Sequence, residues 1–191
     1  FLEDTIIGTS GDLAWSLDGK NLFYVLRDPE TLLPFKVYRH ELGEKQSNDV
    51  LVYEEKDSTF YVSVGNSRSM KFIEINISST TSSETLFIDS SNPKEIPKVI
   101  FSREQDHLYS VEDDLDRLLV LTNWKAKNFR LMQTNLEESL DKSKWKEIIP
   151  HRDEVLLQSF LAYPKNIVLL EREKGLRHLR VMDRAGRLKN K

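Results

Sequence analysis

Apolar and polar residues alternate in short bursts along the whole chain, the period-2 pattern of half-buried β-strands. The clearest case lies at 71–77, where Ile73, Ile75 and Ile77 share one face and Glu74 and Asn76 share the other. Asp18-Gly19 separates Leu13-Ala14-Trp15 from Leu22-Phe23-Tyr24-Val25, which predicts a hairpin closed by a tight glycine-containing turn. Apolar spacing of three and four is nearly missing. Only Asn135 to Ser143 hints at it, through Leu136 and Leu140, so one short helical turn is the most that is expected there. The six prolines (29, 34, 93, 97, 150 and 164) fall between the predicted strands or at their ends, where no ladder N–H is needed.

The strands recur as a set. Strong apolar strands begin at residues 22, 72, 118 and 167, a repeat of about 45–50 residues, and four strands fit each period. The units are 12–54, 59–101, 107–149 and an incomplete 155–191, whose strands are Val155–Ala162, Asn166–Glu171 and Leu176–Met182. Four antiparallel strands per repeat is the period of a β-propeller blade; a long β-sandwich has no such constant four-strand repeat. The fold expected is therefore all-β, a partial β-propeller of about four blades. A closed ring needs roughly four to eight blades, so residues 1–191 read as one arc of a larger propeller.

Composition narrows the chemistry. The 191 residues carry 28 Lys and Arg against 31 Asp and Glu, a net charge of −3, which argues against a nucleic-acid binder. With no cysteine there is no disulfide, no thiol nucleophile and no cysteine-held metal, and a reducing, cytoplasmic setting is expected. No apolar run nears the roughly 18 residues of a membrane helix, and no signal peptide opens the chain. The first residue is Phe1, so the chain reads as a piece of a longer protein.

Candidate motifs mostly reduce to simpler readings. Gly8-Thr9-Ser10-Gly11 comes nearest to a Gly-x-Ser-x-Gly nucleophile elbow, but its spacing is wrong and no helix follows. His40, His107, His151 and His178 are too far apart in sequence for a metal pair, so no metal or cofactor is expected. Glu112-Asp113-Asp114-Leu115-Asp116 lacks the Gly and Glu of a calcium loop and reads as an acidic hairpin turn. Lys142-Ser143-Lys144-Trp145-Lys146 mixes cations with an aromatic, yet in an acidic chain it reads as a solvated face beside one buried Trp. Asn76-Ile77-Ser78 is a chance glycosylation sequon. Downstream of Leu170, cations outnumber acids eight to three; the simplest reading is an edge strand with Leu176, Leu179 and Val181 turned inward.

Several stretches resemble the oligopeptidase B branch of the prolyl oligopeptidase family. They include Trp15-Ser16-Leu17-Asp18-Gly19-Lys20, Asp28-Pro29-Glu30-Thr31-Leu32-Leu33-Pro34, Val37-Tyr38-Arg39-His40 and Asp49-Val50-Leu51-Val52-Tyr53-Glu54-Glu55. Ile77-Ser78-Ser79-Thr80-Thr81-Ser82-Ser83-Glu84 and Lys127-Asn128-Phe129 continue the likeness. The resemblance implies a place in a seven-bladed propeller that caps an α/β-hydrolase domain, with Ser, His and Asp of the triad on that second domain. It implies cleavage of short peptides after Arg or Lys, a propeller that works as a size filter, and no catalytic residue in this chain. It further implies contact between the basic stretch, at Arg172, Arg177 and Arg180, and the hydrolase domain. A stand-alone propeller that binds proteins or peptides without catalysis is the alternative, since propellers host unrelated functions. Self-association through unpartnered faces is expected of the chain in isolation.

Overall fold

The computed structural model describes residues 3–189; Phe1 and Lys191 lie outside the described residues. Fifteen strands form three four-stranded sheets and one three-stranded sheet, each wound antiparallel in chain order. This is a partial β-propeller, with each sheet a blade. By contact density the chain divides into two units, 1–104 and 105–191.

In the first unit, one sheet comprises β1 (Thr9–Trp15), β2 (Asn21–Arg27), β3 (Pro34–Glu41) and β4 (Val50–Glu54). The next comprises β5 (Tyr61–Asn66), β6 (Phe72–Ser78), β7 (Ser83–Asp89) and β8 (Lys98–Phe101). The predicted hairpin closes at Gly19, whose φ of 68° suits glycine, while Asp18 Oδ1 accepts from Ser16 Oγ at 2.6 Å and from Lys20 N at 3.0 Å. Ile73, Ile75 and Ile77 are fully buried, and they pack with Phe23, Val25, Val37, Val62, Val64 and Ile88 in one core between the two sheets. Asn66 ties the sheets directly. Its side chain accepts from Trp15 N and donates to Trp15 O, both at 2.8 Å, as a neighbouring strand would.

In the second unit, one sheet comprises β9 (Tyr109–Asp114), β10 (Arg117–Thr122), β11 (Arg130–Thr134) and β12 (Lys146–Ile149). The other comprises β13 (Val155–Ala162), β14 (Ile167–Glu173) and β15 (Leu176–Met182). Leu119, Leu121, Leu131 and Ile149 from the first meet Leu157, Phe160, Ala162, Ile167 and Leu169 from the second. After β15, a turn held by Asp183 Oδ1, which accepts from Ala185 N and Arg187 N at 2.9 Å, reverses the chain. Leu188 then pairs with Met182 in an isolated bridge, and Lys189 N donates to Val181 O at 3.1 Å.

One expectation is corrected. Leu176, Leu179 and Val181 are exposed, at 66%, 74% and 42%, rather than turned inward. Register explains Leu179 and Val181: Met182, Arg180 and His178 lie opposite Ile167, Leu169 and Glu171, the buried residues of β14, so the residues between them on β15 point away from the core. Leu176, on the same face as His178, is exposed where it leaves the hairpin turn. The stretch from Asn135 to Ser143 holds Leu136 and Leu140 exposed in turns and ends in the single-turn 3₁₀ helix Lys142–Lys144; a second such turn lies at Gln46–Asn48.

Candidate functional site

The β14–β15 hairpin carries the cationic residues singled out in the sequence. Lys174 and Gly175 make its two-residue turn, both with positive φ, which sets the register that places Arg172 directly opposite Arg177 and Glu171 opposite His178. Arg180 projects toward the buried side and Arg172 and Arg177 toward the other.

Arg180 is committed within the sheet. Its Nε lies 2.5 Å from Glu171 Oε2 and its Nη2 3.3 Å from Glu173 Oε2. Arg152, from the segment leading into β13, pairs with the other oxygen of Glu171. Glu171 is fully buried, and two guanidinium groups meet its carboxylate and offset the cost of burying it. Arg172 and Arg177 differ sharply. Both are exposed, and neither makes an ion pair among the described residues. Like charges directly opposite on adjacent strands repel, so this pair costs the sheet stability. Arg184, farther along the same cationic stretch, folds back instead: it pairs with Asp114, which also holds Arg117 Nε at 2.9 Å. These two arginines line a polar cleft of about 460 Å³ together with Asp116, Gln133, Asn135 and Lys146.

The remaining motifs have local partners. Ser10 Oγ donates to Asp12 Oδ2 at 2.8 Å within β1, with no strand-to-helix turn beneath it. The acidic run is the β9–β10 hairpin turn, with Leu115 at φ 61°. Trp145 is buried, its Nε1 donating to Ser139 O at 3.0 Å, and it meets Trp124 edge-on at 5.9 Å between centroids. Lys125, Arg130 and Lys142 surround the Trp124 ring, an aromatic–cation cluster that the sequence reading missed because its members come from three segments. Asn76 sits inside β6 and accepts from Thr85 Oγ1 at 3.1 Å. His107 is buried with Nε2 2.9 Å from Thr122 Oγ1 and Nδ1 3.1 Å from Lys142 Nζ. His151 lies 3.9 Å from Asp153, and His178 is half-buried on β15. His40 is buried between Asp49 and Asp4.

A second network also escaped the sequence reading. Arg103 packs its guanidinium over Phe60, 4.1 Å from the ring centroid, and reaches Glu55 at 2.5 Å and Glu84 at 2.7 Å. Burial pushes the Glu55 carboxyl up, but Arg103, the Asp57 N–H and the Tyr53 hydroxyl outweigh it and leave Glu55 below its ordinary range. Burial and the neighbouring Glu55 hold the Tyr53 phenol well above its usual value. The network spans β4, β7 and the segment after β8, and its charges are mutually satisfied, so it braces the first unit.

Comparison with known proteins agrees with this architecture. Residues 1–190 match the family model described as prolyl oligopeptidase, N-terminal β-propeller domain. Dipeptidyl aminopeptidase BI of Pseudoxanthomonas mexicana is 40% identical over 186 residues, 97% of this chain and 25% of that protein. The solved structure of oligopeptidase B from Leishmania major superposes with a TM-score of 0.88 at 28% identity, covering 98% of this chain and 27% of that one. Oligopeptidase B from Trypanosoma brucei, in a closed form with covalently bound antipain, gives a TM-score of 0.86 at 30% identity, covering 96% of this chain and 26% of that one. The chain thus spans about a quarter of the length of these relatives.

Proposed function

The chain belongs to the prolyl oligopeptidase N-terminal β-propeller family, and from that premise we propose that it is the gating segment of a cytoplasmic serine oligopeptidase that cleaves short peptides after Arg or Lys. In this reading the segment itself performs no chemistry. A separate α/β-hydrolase domain supplies a serine that attacks the scissile carbonyl, a histidine that moves the proton and backbone donors that hold the oxyanion. The propeller lies over that site and admits only chains narrow enough to reach it, and opening between domains controls entry. The Trypanosoma brucei relative, described as a closed form with covalently bound antipain, supports a working cycle in which the domains open and close.

The observation that carries the reading is the opposed Arg172 and Arg177, which make no ion pair among the described residues, beside Arg180, which does. Two such cations match an acidic surface on the neighbouring domain; Arg180, tied to Glu171, plays the supporting part of fixing the hairpin that presents them. The test is made on the protein that carries this chain. Arg-terminated chromogenic peptides should be turned over and the activity lost to a serine-reactive inhibitor, while a folded protein bearing the same Arg sites should resist cleavage. Cleavage of folded and short substrates at equal rates would refute the size filter, and no cleavage after Arg or Lys would refute the specificity.

A further inference from the structure

We propose that a protonated His40 latches the segment Asp4–Ile7 onto the first sheet, and that loss of this proton releases the segment. His40 sits on β3 with only 1% of its side chain exposed, its Nδ1 2.7 Å from Asp49 Oδ1 and its Nε2 3.2 Å from Asp4 Oδ1. A neutral imidazole has one N–H and so can donate to only one of these carboxylates; the other would face a lone pair. The imidazolium donates to both.

The segment has little else to hold it. Asp4 Oδ1 also accepts from Gly43 N at 2.7 Å, and Gln46 grips Ile7 at both ends, its Oε1 accepting from Ile7 N at 3.2 Å and its Nε2 donating to Ile7 O at 3.0 Å. Ile7 is 70% exposed and Thr5 is exposed, and Ile6 is the one half-buried apolar side chain of the segment, so apolar burial contributes little. Attachment mainly by a few polar contacts marks the low-stability end of a structure.

The charges around His40 make the proton decisive. Asp49 also accepts from Tyr24 Oη at 2.8 Å, and Tyr38 stacks on that ring. Glu3, Glu44 and Lys45 line an open cleft beside the segment and the Gly43 turn. Once His40 is neutral, Asp4 and Asp49 are left without the cation between them, and Glu3 and Glu44 add negative charge. Burial pushes the His40 imidazolium down, but its bonds to Asp49 and Asp4 outweigh this and hold it above its ordinary value of 6.5. The Gly43 N–H and His40 hold the Asp4 carboxyl below its ordinary value of 3.8. The folded value of His40 is the raised one, so the latch is full below about 6.5 and fades as pH rises through the folded value; on the acid side it is lost as pH falls through the lowered value of Asp4.

Hydrogen exchange read by mass spectrometry on the intact protein that carries this chain tests the latch, with rates corrected for their intrinsic pH dependence. Protection of residues 3–8 should fall at least about tenfold between pH 6 and pH 9, the scale expected when a charge-assisted hydrogen bond is lost. Protection of Phe72–Ser78, in the core of the same unit, should not change. Asp4→Asn leaves the His40–Asp49 bond in place and should remove the pH dependence of residues 3–8. Equal protection of these residues at both pH values, or an undiminished fall in Asp4→Asn, would overturn the proposal.

Discussion

Arg177→Glu and Arg180→Glu make the same change of charge three residues apart on one strand, yet the structure assigns them opposite effects. Arg180 neutralises one side of Glu171, which has no exposure to water. Breaking a buried ion pair by removing one partner costs about 3–5 kcal/mol. Arg152 stays in place and Arg180 is about a third exposed, so Arg180→Ala should cost about 2–3 kcal/mol. Glu at 180 adds a second carboxylate beside Glu171; two like charges about 4 Å apart repel by about 4 kcal/mol at an effective dielectric near 20. Even with the side chain turning toward water, Arg180→Glu should lose about 4 kcal/mol, a large part of a typical stability of about 5–15 kcal/mol. Arg177→Glu instead replaces repulsion against Arg172 by attraction and should gain about 0.2–1 kcal/mol. Urea unfolding of the two variants measures this directly. With slopes of about 1–3 kcal/mol per molar, the midpoint for Arg180→Glu should drop by more than about 1 M while that for Arg177→Glu holds or rises. Added salt should erase the Arg177→Glu gain and leave most of the Arg180→Glu loss, because only the exposed pair is screened. Midpoints within about 0.3 M of each other would refute the ion-pair assignment around Glu171.

The same logic extends to other positions. Ile75→Ala removes a fully buried side chain between two sheets and should cost about 2–5 kcal/mol in urea unfolding. Gly186→Ala should destabilise by more than about 1 kcal/mol, since the residue holds φ 81° and an added Cβ would strike the Ile148 carbonyl oxygen; a neutral melting temperature would contradict the turn geometry. The 191-residue chain alone should not hydrolyse an Arg-terminated chromogenic peptide, and turnover that survives repurification and yields to a serine-reactive inhibitor would contradict that. The isolated chain should associate at micromolar concentration through Leu161, Leu179 and Val181, which share the exposed face of the last sheet; a monodisperse monomer in sedimentation would exclude this.

The blades were legible because their inner strands alternate. Ile73, Ile75 and Ile77 announced both strand and buried face, and the run Leu22-Phe23-Tyr24-Val25 after Asp18-Gly19 lies within β2. What alternation could not reveal was which neighbour a face meets. Phe23, Val25, Ile167 and Leu169 are buried in the cores between paired sheets, a placement that only the assembled sheets reveal. Their strands are apolar on both faces, as in β2, where Tyr24 is buried as well, so hydrophobicity alone does not orient them. The His40 cluster was invisible for another reason. Its partners stand 36 and 9 residues away on irregular segments, and no spacing rule joins a strand histidine to aspartates that a loop and an upstream segment bring to it.

β15 shows how a single buried charge can invert a sequence reading. Leu179 and Val181 suggested the core-facing side, whereas the core-facing positions include Arg180, His178 and Met182. The cause lies one strand away. Glu171 occupies a buried position on β14 and must be met by cations on the strands beside it, so β15 turns Arg180 inward and Leu179 and Val181 outward. The exposure of Leu179 and Val181 is therefore a consequence of charge satisfaction and not a sign of weak packing. Arg172 and Arg177 follow from the same register, because once Arg180 faces Glu171, the residue three positions earlier must lie on the opposite face, directly across from Arg172. One buried carboxylate thus fixes both the apolar surface and the cationic pair that this blade presents.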